Sequence, residues 1–120
     1  MISIGPATHI YLVIGATDMR KGYDGLHGLV AGELNENPLS GHLFVFTNKT
    51  RTRIKVLCWD GSGTWVCAKR LEKGRFTWPA GAEGEMKVAL TSAEFAMLTG
   101  GIDLAQGRRK AWWRKNERGA

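Results

Sequence analysis

The sequence is poor in the residues that metal centres and disulfide scaffolds need. Its two cysteines, Cys58 and Cys67, form no CxxC motif, and its three histidines are isolated from one another. This set does not match the ligand spacing of a zinc site, so we expect no metal and no cofactor. Both cysteines are predicted to be reduced thiols in or near the core, with a structural disulfide as the less favoured alternative.

Long apolar runs are also missing. The longest, IYLVIGA at 10–16, is far too short to cross a bilayer, and no signal peptide is recognisable. We therefore expect a cytoplasmic protein with no membrane partner. The 120 residues suit a single domain, and a hydrophobic content of 43% is enough for an ordinary core.

Acidic residues are too scattered to form an evident catalytic centre. Asp18, Asp24, Asp60 and Asp103 lie far apart in the sequence, and caps or turns account for three of them. A metal-dependent nuclease needs two or three converging carboxylates, and no serine lies in a nucleophile elbow. We predict that the protein is not an enzyme. A nuclease whose carboxylates converge only on folding ranks last among the alternatives.

The positive charge is concentrated at the C-terminal end. The chain has 17 basic and 11 acidic residues, and its first 107 residues hold 11 of the basic and 10 of the acidic ones. We therefore divide it into an α+β domain over 1–107 and a basic, tryptophan-containing tail over 108–120. The tail's cations are Arg108, Arg109, Lys110, Arg114, Lys115 and Arg118. Such a tail indicates an anionic polymer, most often nucleic acid, or else a solvated terminus that only aids solubility.

The pattern of apolar residues predicts an α+β fold. Strands are expected at 9–15, 42–48, 53–60, 64–74 and 86–91, with a short further strand at 75–78. The segment after the first strand is predicted as the longer helix, capped by Asp18, because apolar residues recur there at spacings of three and four. A second, short helix follows Thr91, which forms a capping box with Glu94. This order predicts an antiparallel β-sheet meander with its helices on one face.

Alternation along the strand at 53–60 separates two faces of the sheet. One face carries Arg53, Lys55, Leu57 and Trp59, and the other carries Ile54, Val56 and Cys58. We therefore expect one apolar face and one face that mixes tryptophan with lysine and arginine.

Glycines are frequent in the longer helix. A helical wheel sets Met19, Tyr23, Leu26 and Val30 on one side and Gly25, Gly28 and Gly32 near the other. The glycines leave a strip of bare backbone that another molecule could approach closely. The alternative is that a second element of the same domain packs against that strip.

Three basic places are candidates for binding nucleic acid. In the tail, Trp112 and Trp113 lie between cations, where they could stack on bases or pack back on the domain. The turn NKTRTRIK at 48–55 makes a basic finger suited to a groove, or else a charged hairpin tip that prevents aggregation. Arg20 and Lys21 lie at the expected start of the longer helix, where they would complete a phosphate site.

Several blocks of the sequence occur in a known family. TDMRKGYDGL, PLSGHLFVF, RIKVLCWDGSG and KRLEKGRFTWP, with LT and GID further on, resemble the TnpB-type accessory protein of insertion-sequence 66 elements. The resemblance covers about residues 9–103. The motif positions are Asp18, Met19, Arg20, Lys21, Gly25, Gly41, His42, Phe44, Trp59, Asp60, Lys69, Arg70, Gly74, Arg75 and Phe76.

The resemblance implies a role in DNA transposition beside a separate, larger transposase, and it implies no catalytic activity. Two hypotheses follow: a DNA-binding factor that acts at the element ends, or an adaptor that docks on the transposase or another element-encoded protein without binding DNA. We expect DNA binding, with nucleoid association while bound. The expected contacts are Arg20, Lys21, Lys49, Arg51, Arg53, Lys55, Lys69, Arg70, Arg75, Arg108, Arg109, Lys110, Arg114 and Lys115.

Overall fold

The computed structural model describes residues 5–81 and 83–100, so the tail at 108–120 and its division from the domain lie outside the described residues. The chain has five strands, β1 (Ile10–Ala16), β2 (Leu43–Thr47), β3 (Arg53–Trp59), β4 (Thr64–Arg70) and β5 (Lys87–Leu90). They form one sheet in the order β4-β3-β2-β1-β5. The helices are α1 (Tyr23–Gly28), which continues as a π-helix over Leu29–Glu33, and α2 (Ser92–Thr99).

The predicted α+β class is confirmed, and the sheet is mixed rather than antiparallel throughout. The β2, β3 and β4 strands form the expected antiparallel meander, and β5 pairs antiparallel with β1. The β1 and β2 strands are parallel, with Ile10 opposite Leu43 and Leu12 opposite Val45. A parallel pair needs a crossover, and α1 with its π-helical continuation supplies it.

Both faces of the sheet carry a hydrophobic core, so the expectation that the helices share one face is wrong. One core contains Leu12, Val45 and Val56, and Leu98 of α2 packs into it. The other contains Phe44, Phe46 and Leu57 under the residues of α1 and its continuation, Leu26, Val30 and Leu34. The central strand β2 is buried along its whole length because it has side chains in both cores.

The longer helix begins later than its sequence pattern predicts. Its N-cap is Gly22, which offers no side chain, and the first helical residue is Tyr23. Asp18 is not the cap, since its carboxylate accepts hydrogen bonds from Arg20 instead. Arg20 and Lys21 therefore precede the helix and do not oppose its dipole from the first turn. Tyr23 is 57% exposed and does not belong to the core.

The glycines of this helix face open space. Among the described residues, a Cβ atom added at Gly28 or Gly32 would meet no atom within 4 Å outside the helix's own backbone. No second element of the described chain therefore packs on these two positions. At Gly25, a Cβ would lie 3.0 Å from the Cβ of Lys21.

The C-terminal part of the described chain follows the sequence pattern, with one exception. The capping box of Thr91 and Glu94 is formed, and α2 ends at Gly100 as predicted. Residues 75–78 do not form a strand. This segment is fixed by the Phe76 amide, which donates to the Arg51 carbonyl at 2.7 Å, and by the Trp78 indole, which donates to the Val13 carbonyl at 2.9 Å.

The cysteines are free thiols in or beside the core, as predicted. Cys58 is buried and Cys67 is half-buried, and both pack in the core that α2 covers. Burial raises the pKa of the Cys58 thiol, so this group is an inert part of the core. In the described part of the chain, no helix is long and apolar enough to cross a membrane.

Candidate nucleic-acid interface

The strand registers bring several basic segments to one end of the sheet. Ala16 pairs with Thr47, Thr47 with Ile54, and Arg53 with Arg70. The turn between β2 and β3 and the segment after β4 therefore lie together, and the Leu71 amide joins them by donating to the Thr52 carbonyl at 2.9 Å. We call this region the basic end. It comprises Lys49, Arg51, Arg53, Lys69, Arg70, Lys73 and Arg75.

Two arginines at the basic end stand directly opposite each other. Arg53 on β3 is the register partner of Arg70 on β4, and both line a shallow cleft of about 360 Å³. Like charges opposite each other on neighbouring strands destabilise a sheet. Arg70 has an exposed ion pair with Glu72 at the long distance of 3.9 Å. Arg53 has no carboxylate partner among residues 5–81 and 83–100.

The turn that carries Lys49 is held by the side chain of Asn48. The Asn48 amide oxygen accepts hydrogen bonds from the backbone N–H groups of Thr52 at 2.9 Å and Arg53 at 3.1 Å. Its nitrogen donates to the hydroxyls of Thr50 and Thr52. Lys49 is exposed on this turn. The hydrogen bonds of Asn48 hold the backbone that carries it.

Arg51 makes its contacts within the fold. Its backbone is in the left-handed region, with φ at 59°, and its guanidinium lies 5.6 Å from the centre of the Trp78 ring. The Nη1 atom is buried and has no hydrogen-bond partner in the described chain. Because its carbonyl also accepts from the Phe76 amide, Arg51 holds the turn and the segment of Arg75 together.

Arg20 is the more exposed cation of residues 18–21, the segment that we call the opening stretch. Its guanidinium binds Asp18 through Nε at 3.1 Å and through Nη2 at 2.8 Å, and its side chain is 92% exposed. Hydrogen bonds from the Arg20 side chain and backbone lower the pKa of Asp18 to about 2. The pair is therefore ionised at neutral pH.

Lys55 attaches the opening stretch to the basic end. Its ammonium donates to the carbonyl oxygens of Met19 at 2.7 Å and Lys21 at 2.8 Å. The bonds place Arg20 and Lys21 beside β3, at the same end of the sheet as Arg53. Lys55 was predicted as a DNA contact, but its ammonium is occupied inside the fold.

Lys69 points to the other face of the sheet. It is the register partner of Ile54, and its ammonium donates to the carbonyl of Thr99 at 2.6 Å. A cation at this place donates to a free carbonyl at the C-terminal end of α2 and interacts favourably with the helix dipole.

Of the three predicted basic places, the turn and the opening stretch adjoin each other. The tail cations Arg108, Arg109, Lys110, Arg114 and Lys115 lie outside the described residues.

Sequence reasoning missed one cation of this region. Lys73 is exposed. The segment that carries it is attached to the turn between β2 and β3 by hydrogen bonds from the Leu71 and Phe76 amides. The run KRLEKGR was a signal for it, since the run places four cations within seven residues.

Asp60 has a structural role at the opposite end of the β3–β4 hairpin. Its carboxylate accepts from the backbone N–H groups of Ser62 at 2.8 Å and Gly63 at 2.9 Å, and from the Trp65 indole at 2.8 Å. These bonds, with that of the Ser62 amide foremost, lower the pKa of Asp60 to about 2. Among the described residues, no group of three or more His, Cys, Asp or Glu is placed to hold a metal ion.

The fold and the basic end describe a small α+β protein with a cluster of cations at one end of its sheet. A family model described as IS66 Orf2 like protein matches residues 8–109, and the chain belongs to this family. Two relatives from Sinorhizobium fredii are similar along most of their length. The chain is 40% identical to the uncharacterized protein y4hO over 103 residues, 86% of this chain and 88% of the relative. It is 34% identical to the uncharacterized protein y4jC over 109 residues, 89% and 92% of the two chains.

No solved structure matches the chain. Family membership gives the protein a transposition-associated accessory role in an insertion sequence, and the family is not a known catalytic one.

Proposed function

We propose that the protein is a non-catalytic DNA-binding factor that acts at the ends of its insertion sequence with a separate transposase. One observation carries the proposal: Arg53 and Arg70 face each other across neighbouring strands. The arrangement works against stability, and a bound anion between the two guanidiniums would reverse that effect. Binding of such an anion would offset the cost of placing the two arginines opposite each other.

A phosphodiester group fits this pair. Neighbouring strands lie about 4.8 Å apart, so two guanidiniums on them can reach the oxygens of one phosphate. Arginine presents planar, paired donors that match phosphate geometry, and it keeps its charge at every physiological pH. Lys49, Lys73 and Arg75 surround the pair and would contact neighbouring phosphates. Arg20 and Lys21 extend the same surface along the sheet end.

Such contacts position a duplex and do not read its sequence. Cations that neutralise phosphates release counterions, so the affinity falls steeply as salt rises. Base-edge contacts would be needed for sequence preference. The proposed mode therefore supplies affinity for the element's DNA, while the transposase supplies the choice of the ends. The tail cations at 108–115 would add to the same affinity, and the protein would be nucleoid-associated while bound.

A charge-matched pair of variants tests the proposal. One variant is R53Q with R70Q, and the control is A31E with A93E, which changes the net charge equally at two exposed positions outside the basic end. Binding to an element-end duplex and to a random duplex is measured between 50 and 200 mM salt. We expect the basic-end variant to weaken binding to both duplexes and to lower the slope of log K against log salt by about 2.

The control should keep most of the wild-type affinity and the wild-type slope. Equal losses in the two variants would mean that only net charge matters, and would remove the assignment to the basic end. Negligible wild-type binding at low salt would remove the DNA-binding function itself.

The adaptor remains a second candidate, and the open glycine strip favours it. Among the described residues nothing covers Gly28 and Gly32, and Tyr23 at the start of the same helix is 57% exposed. Exposed aromatic residues and close backbone approach are features of protein interfaces. Co-purification with the transposase that survives nuclease treatment and is lost in Y23A, while R53Q with R70Q retains it, would favour the adaptor.

A further inference from the structure

The outer edge of β4 is long and has no partner strand in the described chain. The β4 strand lies at one end of the sheet order and has seven residues, whereas β5 at the opposite end has four. Proteins guard edge strands by keeping them short or by placing charges, prolines or bulges on them. The centre of β4, VCA at 66–68, has no charge and no proline, and the pairing of β4 with β3 contains no bulge. This edge is therefore open to another strand.

Two hydrogen bonds show which backbone groups of β4 face outward. The Asp60 amide donates to the Gly63 carbonyl at 3.0 Å, and the Leu71 amide donates to the Thr52 carbonyl at 2.9 Å. Because hydrogen-bonded and non-hydrogen-bonded pairs alternate along an antiparallel ladder, the odd-numbered residues of β4 bond to β3. The outward N–H and C=O groups belong to the even-numbered residues Thr64, Val66, Ala68 and Arg70. Within residues 5–81 and 83–100, these groups have no hydrogen-bond partner.

A second copy of β4 matches these outward groups. Two identical strands can pair antiparallel about a two-fold axis, which brings the same patch of both copies together. With the axis at Cys67, Val66 lies opposite Ala68 of the second copy. Thr64 then lies opposite Arg70, so every outward N–H and C=O group of both strands has a partner. Moving the axis by one residue along the strand sets an outward residue opposite a position outside β4.

The side chains favour the same register. Trp65 and Lys69 lie on the α2 face of β4, opposite Cys58 and Ile54 of β3. An axis at Cys67 sets Lys69 directly opposite Trp65 of the second copy, where a lysine beside an indole gains a cation–π contact. The Trp65 side chain is 39% exposed in the single chain, so its ring is accessible for that contact. No like charges face each other in this register, whereas an axis at Lys69 would set that lysine opposite itself.

We propose that two copies of the chain pair through β4 in an antiparallel register centred on Cys67, so that their two sheets become one continuous sheet. Main-chain hydrogen bonds between edge strands supply the affinity, and the opposed side chains fix the register. Arg70 of each copy lies opposite Thr64 of the other, so the two Arg70 residues are about 20 Å apart along the strands. The dimer therefore presents two separate basic ends. This inference goes beyond DNA binding and does not depend on it.

Cross-linking through Cys67 tests the register in the full chain. A non-hydrogen-bonded antiparallel pair places its Cα atoms about 4.5 Å apart, which a disulfide can bridge. Nuclease-treated protein is oxidised with copper phenanthroline and run on a gel without reductant. We expect a covalent dimer from the wild type and none from C67S, in which the remaining Cys58 is buried. The matched control, C67S with A31C, has its exposed thiol on another element and should give little dimer. Equal cross-linking of the wild type and this control overturns the proposal.

The solution mass of edge variants completes the test. A68P removes an outward N–H group that β3 does not use, and A68S is the matched control that keeps it. In sedimentation equilibrium we expect the wild type and A68S to have twice the 13.2 kDa of one chain. A68P should dimerise about tenfold or more weakly, because the symmetric dimer loses the bond twice. Circular dichroism checks that A68P is folded. A monomeric wild type overturns the proposal, and so does a folded A68P that dimerises as tightly as A68S.

Discussion

Asp60 is held by hydrogen bonds at the turn between β3 and β4, and this has a consequence for the pH dependence of stability. Its pKa is about 2 in the folded chain against an ordinary value of 3.8, mainly because backbone N–H groups and the Trp65 indole bind the carboxylate. A carboxyl with a lowered folded pKa stabilises the fold above its unfolded pKa. The contribution is lost as the pH falls from about 4 to about 2.

We therefore expect D60N to be less stable than the wild type at pH 7, and the difference to shrink between pH 4 and pH 2. Urea unfolding midpoints at several pH values measure this difference. Asp18 titrates over the same range in both proteins, and its contribution cancels. A difference that stays constant over the whole range would mean that the Asp60 charge is not what the turn uses.

Lys55 allows a stability prediction of a different kind. K55M keeps much of the side-chain volume but leaves the carbonyls of Met19 and Lys21 without their donor. The two bonds are part-buried, so water can reach the freed carbonyls in part, and we expect the free energy of unfolding to fall by about 1 kcal/mol, the low end of the cost of an unsatisfied buried acceptor. K73M, at an exposed position, should change it by less than about 0.5 kcal/mol. Equal effects of the two variants would show that the 18–21 segment does not depend on Lys55.

Residue chemistry explains which roles were predictable. Thr91 and Glu94 have the types and spacing of a capping box, so their roles could be read directly. Asp18 fits an N-cap equally well by type, but Arg20 two residues later offers it a guanidinium and an N–H group. Lys55 lies on the predicted face, yet its partners are carbonyl oxygens 34 and 36 residues away. Such long-range partners have no signal in a single sequence.

The helix that follows β1 carries its glycines on the solvent side, which sets a stability prediction for that element. Gly28 has helical backbone angles, φ −61° and ψ −39°, and open space at its Cβ position. We expect G28A to raise the free energy of unfolding by about 0.8–1.0 kcal/mol. Gly81 is the contrasting position, since its φ is +72° and a Cβ there would overlap the Ile14 side chain. G81A should therefore destabilise the protein.

Urea denaturation of G28A and G81A, beside the wild type, measures both effects. Destabilisation by G28A would mean that the strip packs against something within the folded chain. If G28A is stabilised but no longer associates with the transposase, the strip is a contact surface.

Helices and strands were predicted well where a single pattern of residues indicated them, and less well where the residues fitted two structures. Alternation located β3, and the DGSG turn located the β3–β4 hairpin. The polar residues Arg53 and Lys55 suggested a solvated face, but the inner half of that face, with Leu57 and Phe44, is covered by α1. The segment at 75–78 has strand-like residues, yet its bonds go to Arg51 and Val13 singly and not to a neighbouring strand.

At the scale of the whole molecule, the arginines proposed to bind DNA at the basic end are expected to lower the stability of the fold. If Arg53 and Arg70 repel each other, R53Q with R70Q should unfold at the same or a higher urea concentration than the wild type at low salt. The two proteins should converge as salt screens the repulsion. A midpoint clearly below that of the wild type would mean that the arginines stabilise the fold, and that their pairing needs no ligand to explain it.

The candidate site was only partly predictable, because the positions of cations in the sequence do not show which way each side chain points in the fold. The sequence supplied the cations of the turn and the opening stretch, but the register between β3 and β4 was needed to set Arg53 opposite Arg70. It also took the fold to separate cations facing solvent from those engaged internally, such as Lys55 and Lys69.

The place of β5 in the sheet makes completion of the fold depend on the last part of the described chain to be synthesised. The β1 strand is among the first residues made, but its second edge is covered only when residues 87–90 pair with it. Until then, the nascent chain has an unpaired edge along the apolar segment IYLVIG. Unpaired strand edges of this kind bind other chains. Products of premature termination before residue 87 would keep that edge permanently. They would be prone to aggregate, whereas the finished chain covers the edge with its own strand.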